Sequence, residues 1–347
     1  TGSTHGAPLD APADPMSNYP ARPEWFLLSL FELRKLFSGS GEFWGTTVVP
    51  GVAGLCLALL PWLDRRGRPR ALVVVAPVVL VFGGAVALGA AALRKDARDE
   101  QYAKQRASAD VRAAAAVKLA MQGVPPAGAL AMVRQDPELR GRDLFDEHCA
   151  SCHVLGDLGD PKKATGTKLD GWGTTDWITK MIHDPDAPEF FGRGPYKTQM
   201  PSVDVRPADK QDKPWTPMVK SDAERSAVAL FLASLGDEPG DPPRATDAPA
   251  RALGERIFAE RCTACHLYKG EGDDDSSGIA PELAGYGSIA WTRAQIGNPA
   301  TPATYRENAL DEKMKKHMPR FDKDLSLADV DLVARWTRAH ARGVPFP

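Results

Sequence analysis

The sequence predicts an all-α protein in which two transmembrane helices precede two tandem helical domains of similar design. Three observations support this fold class. Two long uncharged stretches, 43–63 and 71–93, lie close together near the start of the 347-residue chain. An internal repeat follows, and each copy contains the pattern C-x-x-C-H once. Each copy also ends with apolar residues at helical spacing, at 221–235 and 325–342.

Residues 1–42 are predicted to form a segment outside the membrane. Residues 1–22 are proline-rich and polar, and 23–42 mix apolar and charged residues. The apolar residues of the second part fit one face of an amphipathic helix: Phe26, Leu27, Leu30, Phe31, Leu33 and Leu36. The chain begins at Thr1 and shows no signal-peptide pattern before this segment, so we expect it to be processed or cut from a longer product.

Residues 43–95 are predicted to form a two-helix anchor in a bacterial cytoplasmic membrane. At 1.5 Å per residue, each uncharged stretch can cross a hydrocarbon layer of about 30 Å. The connector contains four arginines, which the positive-inside rule assigns to the cytoplasm: Arg65, Arg66, Arg68 and Arg70. Everything after residue 94 is therefore expected on the periplasmic or extracellular side. A helical linker is predicted over 96–135.

The two repeat copies are predicted to be domains over 136–238 and 249–347, joined by a proline-rich linker. The sequence Leu169-Asp170-Gly171-Trp172-Gly173 aligns with Leu283-Ala284-Gly285-Tyr286-Gly287. Trp177, Ile182 and Pro185 then align without a gap with Trp291, Ile296 and Pro299. We expect Trp172, Trp177, Tyr286 and Trp291 to form walls of a pocket or to pack in the core.

The two pentapeptides predict two covalently bound c-type haems. They are Cys149-Ala150-Ser151-Cys152-His153 and Cys262-Thr263-Ala264-Cys265-His266. In such a pattern the two thiols add to the haem vinyl groups and the histidine binds iron from one side. The predicted attachment residues are Cys149, Cys152, Cys262 and Cys265, with His153 and His266 as iron ligands. The alternative use of C-x-x-C, half of a zinc site, is disfavoured because a histidine follows each pair directly. The domains are thus expected to be cytochrome c-like.

A methionine in each repeat is the predicted second axial ligand. Met200-Pro201 and Met318-Pro319 follow the two C-x-x-C-H motifs at similar distances along the chain, and the proline restricts the backbone beside the ligand. Methionine opposite histidine closes the iron coordination, as in electron carriers. The competing candidates are Met218, Met314, His183 and His317. The net charge of −2 gives no reason to expect a nucleic-acid partner.

The N-terminal part resembles a known family. The resemblance rests on Pro23-Glu24-Trp25-Phe26, Phe31-Glu32-Leu33 and Leu60-Pro61-Trp62-Leu63-Asp64-Arg65, and covers about residues 15–95. These segments resemble the C-terminal part of cytochrome b, or subunit IV, of bacterial quinol–cytochrome c reductases, in the variant fused to a dihaem cytochrome c. The resemblance implies that Pro23, Trp25 and Phe26 line a quinol pocket and that Glu24 accepts a quinol proton.

The chain also departs from this family. Phe26 replaces the usual tyrosine, no apolar span precedes the motif, and the membrane region has no candidate histidines for b-type haems. The chain is therefore not expected to be catalytic alone. The resemblance implies a cytochrome b subunit with b haems and a Rieske iron–sulfur protein as partners, with quinol as the electron source.

The expected function is electron relay from quinol oxidation, through two c haems, to a terminal oxidase or a small cytochrome c. Two alternatives remain open at this point. One is a dihaem subunit of a haem–copper oxidase, which would not need the Pro-Glu-Trp segment. The other is a dihaem peroxidase, which would need one iron with an open or displaceable ligand.

Overall fold

The chain folds into two compact units, residues 1–133 and 134–347. The computed structural model describes residues 22–63, 71–206, 216–242, 247–272, 280–305 and 318–346. These residues are mostly helical and contain isolated β-bridges but no β-strand. The predicted all-α class is confirmed.

The first unit contains the apolar helices. Helix α1 covers Leu28–Lys35, α2 covers Val49–Leu63 and α3 covers Ala71–Asp96. A π-helical segment, Trp44–Val48, leads directly into α2. Both α1 and α2 pack on α3. Arg22 pairs with Asp96 at the end of α3, with 3.0 Å between Nη2 and Oδ1, and its guanidinium lies over the Tyr102 ring.

Two stretches of this unit have the length and composition of membrane spans, Gly39–Trp62 and Val75–Asp96. Their side chains are largely exposed in the isolated chain, as expected for surfaces that face lipid. The arginine connector lies outside the described residues. Two helices follow α3: α4 covers Glu100–Ala120 and α5 covers Ala129–Gln135. The predicted helical linker is thus interrupted at Ala97–Asp99 and again after Ala120.

The second unit contains six helices within the described residues. Their bounds are α6 Pro137–His148, α7 Thr175–His183, α8 Asp222–Ser234, α9 Ala248–Arg261, α10 Ile289–Gly297 and α11 Leu327–Arg342. Each begins after an aspartate, serine or threonine whose side chain accepts a hydrogen bond from a backbone N–H of the first turn. Helices α8 and α11 match the predicted closing helices of the two repeats.

Each helix that precedes a cysteine pair packs on the closing helix of the other repeat. Helix α6 lies against α11, and α9 lies against α8. The Phe145 and Trp336 rings are 5.5 Å apart at the first crossing, and Phe231 and Phe258 are 5.6 Å apart at the second. The two repeats therefore share one continuous apolar core.

Two buried arginines of α11 join the repeats at their backbones. The Arg342 guanidinium donates to the carbonyl oxygens of Ala233, Gly236 and Gly287, at 2.9, 2.7 and 3.1 Å. Arg338 donates to the Gly236 and Gly287 carbonyls as well and pairs with Asp241. Because a buried charge is costly unless it is fully paired, this network fixes α11 against both repeats.

Candidate haem-binding site

Both cysteine pairs occupy the same backbone turn at the end of a helix. Cys149 ends α6, and its N–H donates to the Phe145 carbonyl at 2.8 Å. The Cys152 and His153 N–H groups both donate to the Cys149 carbonyl, at 3.0 and 2.8 Å. The turn after α9 repeats these bonds at Cys262, Cys265 and His266, within 0.1 Å. One turn therefore presents two thiols and an imidazole together.

A glycine in each repeat allows the chain to pass close to the histidine carbonyl. Gly159 and Gly272 have φ angles of 85° and 134°, which are unfavourable for other residues. A Cβ atom at either position would meet the carbonyl oxygen of His153 or His266. Each glycine thus allows the backbone to pass close to the C-x-x-C-H turn.

Both histidine rings are oriented by a backbone carbonyl. The Nδ1 atom of His153 lies 2.8 Å from the Thr167 carbonyl, and that of His266 lies 3.1 Å from the Pro281 carbonyl. Donation from Nδ1 leaves Nε2 as the lone-pair nitrogen, which is the arrangement found in metal-ligating histidines. Burial lowers the pKa of His266, although the Pro281 carbonyl and the Glu282 charge oppose the effect. The direction of this shift favours the neutral imidazole, the form that binds a metal.

Neither cysteine pair forms a disulfide, so all four sulfur atoms are placed to attach a haem. Burial, helped by the neighbouring Cys152, raises the pKa of Cys149 to about 12, and burial next to Cys265 raises that of Cys262 to about 11. Within the described parts of the chain, no three His, Cys, Asp or Glu side chains come together as a metal site.

Met200 and Met318 lie in matching positions after α7 and α10. Three residues beyond each methionine, a backbone N–H donates to an equivalent isoleucine carbonyl: Val203 to Ile182 at 3.1 Å, and Phe321 to Ile296 at 3.3 Å. The Phe321 N–H also donates to the Gly297 carbonyl at 2.9 Å. Both methionines pack partly buried against the shared core. Two backbone anchors thus hold the methionine segments in the same way.

The competing ligands are placed differently. Met218 borders the same cavity as Met200. His183 is half-exposed, with Nδ1 2.8 Å from Asp204 Oδ1 in an ion-pair cluster. Met314 and His317 lie outside the described residues. The geometry therefore gives no support to His183 as a ligand.

The eight predicted haem-site residues all border one largely apolar cavity of about 460 Å³. They are Cys149, Cys152, His153, Met200, Cys262, Cys265, His266 and Met318. Trp172, Trp177, Tyr286 and Trp291 line the same cavity. Trp177 and Trp291 are further fixed by indole N–H bonds to the Lys168 and Glu282 carbonyls. Thiols, imidazoles and thioethers around apolar walls fit haem c well.

Sequence reasoning missed several residues of this cavity. Phe190, Tyr196 and Tyr305 line it, as does Gln295, whose amide Nε2 lies 3.3 Å from the Met318 sulfur. Tyr196 and Tyr305 stack across the repeats with ring centroids 6.1 Å apart. None of these residues belongs to a recognisable pattern, so only the fold reveals them.

The Pro23–Phe26 motif belongs to the other compact unit. Trp25–Leu27 form one turn of 3₁₀-helix, and the Glu24 carbonyl accepts from the Leu27 N–H at 2.8 Å. Trp25 is 80% exposed and Phe26 is 60% exposed, with their rings in edge contact at 5.7 Å. Two neighbouring exposed aromatic rings fit a surface that meets lipid or another subunit.

The helix, turn and cavity define a protein that carries covalently attached haem c. The chain belongs to the cytochrome c family. The sequence model of that family, described as cytochrome c, matches residues 139–236 and 251–339, which together make up more than half of the chain.

Three relatives are similar over parts of the chain. The cbb3-type cytochrome c oxidase subunit FixP of Bradyrhizobium diazoefficiens is 32% identical over 167 residues, covering 45% of this chain and 50% of FixP. A menaquinol:cytochrome c reductase cytochrome c subunit of Bacillus subtilis is 34% identical over 158 residues, covering 43% and 52%. The subunit of the same description from Geobacillus thermodenitrificans is 41% identical over 69 residues, covering 19% and 28%.

The chain therefore spans about half the length of the first and second of these relatives and less of the third. No solved structure matches the chain.

Proposed function

We propose that this chain is a membrane-anchored subunit of a quinol–cytochrome c reductase that relays electrons through two covalently bound c haems. The observation that carries the proposal is the duplicated set of two thiols, one imidazole and one thioether on a single apolar cavity. Two apolar helices long enough to cross a membrane accompany it in the same chain. Two of the similar proteins are cytochrome c subunits of menaquinol:cytochrome c reductases.

In this proposal, the residues of each C-x-x-C-H motif and the methionine that follows it have distinct roles. Haem c, when bound, supplies an iron that takes up and releases one electron. Cys149 and Cys152, like Cys262 and Cys265, attach the two haems covalently. His153 and His266 would supply imidazole ligands to the iron, and Met200 and Met318 would supply thioether ligands. A site in which the protein supplies both kinds of ligand would favour electron transfer over peroxidase chemistry.

The surroundings of the ligands suit an electron carrier. The carbonyl partners of His153 and His266 hold the imidazole planes fixed, and the anchored methionine segments hold the thioethers. Ligands held in this way stay in place when the iron changes its charge, and apolar walls exclude water from the site. The domains proposed for this role remain 136–238 and 249–347, within one packed unit.

The proposal also assigns a membrane anchor and a quinol pocket to the N-terminal unit. We propose that residues 43–95 are a cytochrome b C-terminal-like anchor, with the haem domains on the periplasmic or extracellular side. Glu24 accepts a quinol proton, and Pro23, Trp25 and Phe26 border the quinol. The partners are a cytochrome b subunit with b haems and a Rieske protein that delivers electrons. A terminal oxidase or small cytochrome c accepts them.

A second candidate function is favoured by a specific observation. The similarity to FixP supports a dihaem subunit of a haem–copper oxidase. The two functions share the haem site and differ in their partners and in the need for the Pro23–Phe26 segment. The tests therefore target the partners and that segment.

Purification of the full chain in mild detergent distinguishes these functions. We expect a cytochrome b subunit and a Rieske protein to co-purify, with quinol-dependent reduction of the c haems. A copper-containing oxidase subunit in their place would reject the reductase proposal in favour of the oxidase.

Replacement of Glu24 by Gln tests the quinol role. Because the amide cannot accept a proton at neutral pH, we expect quinol oxidation in the assembled complex to slow by at least about a hundredfold, the lower end of general-base effects. The matched control is Glu42→Gln, which neutralises an exposed carboxylate of the same unit that pairs with Arg34. Unchanged turnover in Glu24→Gln, with both haems in place, would reject the proton-acceptor role.

A further inference from the structure

One of the two proposed methionine ligands accepts a hydrogen bond from the protein. Gln295, on α10, places its amide Nε2 3.3 Å from the Met318 sulfur. A thioether has no hydrogen to donate, so only the NH₂ end of the amide can form this bond. Gln295 therefore acts as a donor toward the proposed iron ligand.

At the aligned position, the other repeat has a residue that cannot donate such a bond. The alignment that pairs Trp177 with Trp291 and Ile182 with Ile296 pairs Met181 with Gln295. Met181 packs against the shared core and lines the cavity, but a thioether side chain has no N–H. The two sites thus offer the same proposed ligands but differ at this aligned position.

Burying the side-chain amide of Gln295 at this position lowers the stability of the fold. Its carbonyl Oε1 is buried and has no hydrogen-bond partner within the described residues. A buried acceptor without a partner destabilises a fold, and an apolar side chain such as the methionine of the other repeat would avoid this cost. Stability alone therefore gives no reason for a glutamine here.

We infer that Gln295 raises the reduction potential of the haem ligated by Met318 above that of the haem ligated by Met200. This inference rests on the proposed function. The positive end of the N–H dipole draws electron density from the sulfur, which weakens the donation of the sulfur to iron. The same positive dipole end disfavours the more highly charged ferric state relative to the ferrous state, so reduction becomes easier. At equilibrium the first electron then resides mainly on the Met318 haem, which gives the relay a direction.

Redox titration of the full chain in detergent tests the inference. Wild type should titrate in two one-electron waves. Gln295→Met introduces the residue of the other repeat and should lower only the higher wave. We expect a three- to tenfold change in the equilibrium ratio, or about 28 to 59 mV at 59 mV per tenfold for one electron. The matched control, Gln135→Met, makes the same change at an exposed helical position that does not line the cavity and should move neither wave by as much as threefold.

Haem content and the long-wavelength absorption of methionine-ligated ferric haem separate the possible failures. In one outcome, Gln295→Met keeps the full haem content and the methionine absorption. If the potential of the higher wave is then unchanged, or the lower wave moves instead, the inference is overturned while the proposed function stands. Loss of the methionine absorption in this variant would also overturn it, because Gln295 would then be needed to hold the ligand. If wild type lacks that absorption, the proposed function itself fails.

Discussion

Replacing Gly141 by Ala should weaken the crossing of α6 and α11, which brings one repeat against the other. A Cβ atom at this position would lie 2.5 to 2.6 Å from three side-chain atoms of Trp336, whereas ordinary contact begins at 3.4 Å. Trp336 is 2% exposed, and its indole N–H is bound to Glu138 at 3.0 Å, so the ring has little room to move. The two helices must therefore separate by several tenths of an ångström.

The magnitude follows from two opposing effects. Overpacking of a tight core costs about 3 kcal/mol at the upper end of its range. Alanine in place of glycine within a helix recovers about 1 kcal/mol. We therefore expect the free energy of unfolding to fall by about 2 kcal/mol.

Denaturant unfolding of the full chain in detergent, followed by circular dichroism, measures this change. Asp146→Ala, at an exposed position of the same helix, is the control and should stay within about 0.5 kcal/mol of wild type. If Gly141→Ala is as stable as this control, the contact between α6 and Trp336 is not present in solution. Gly254 is the equivalent position of the second repeat, and a Cβ atom there would meet the Ala227 backbone of α8.

Two other charged contacts give further predictions. Burial opposes ionisation of Asp204, but hydrogen bonds from His183 and Arg225 prevail and lower its pKa. The ionised carboxylate therefore stabilises the fold above the unfolded-state pKa of about 3.9, and this stabilisation is lost as pH falls through the folded-state pKa. Asp204→Asn should therefore lower stability at pH 7 and flatten the acid limb below about pH 4; an unchanged acid limb would contradict this. Arg342→Met removes its hydrogen bonds to the Ala233, Gly236 and Gly287 carbonyls, of which the last two keep Arg338 as a donor, and should reduce the free energy of unfolding by about 1 to 3 kcal/mol. The control is Arg335→Met, which replaces a more exposed arginine of the same helix. If thermal unfolding gave the two variants the same stability, the role of Arg342 would be refuted.

Much of the fold could be predicted from local patterns. The uncharged stretches gave the positions of α2 and α3, and helical spacing gave the closing helices α8 and α11. The C-x-x-C-H patterns located both candidate haem sites, although the carbonyl partners of the two histidines, 14 and 15 residues further along the chain, were not predicted. The predicted features depend on residues close together in the chain, which a single sequence displays directly.

The pairing of helices between repeats could not be predicted in this way. The two copies carry similar apolar faces, so α6 could pack on either closing helix as far as periodicity shows. The choice depends on distant contacts such as those of Trp336 and Arg342, which become visible only in the fold. Gln295 was missed for a similar reason, since a single amide within a helix has no pattern that marks it.

The count of covalently attached haems tests the central claim most directly. Intact mass of the full chain, expressed with c-type haem maturation, should exceed the polypeptide mass by two haems. Replacing Cys149 and Cys152 by Ala should leave one haem, replacing Cys262 and Cys265 should also leave one, and replacing all four should leave none. A wild-type chain with no added mass, or with a single haem that survives both double replacements, would contradict the account.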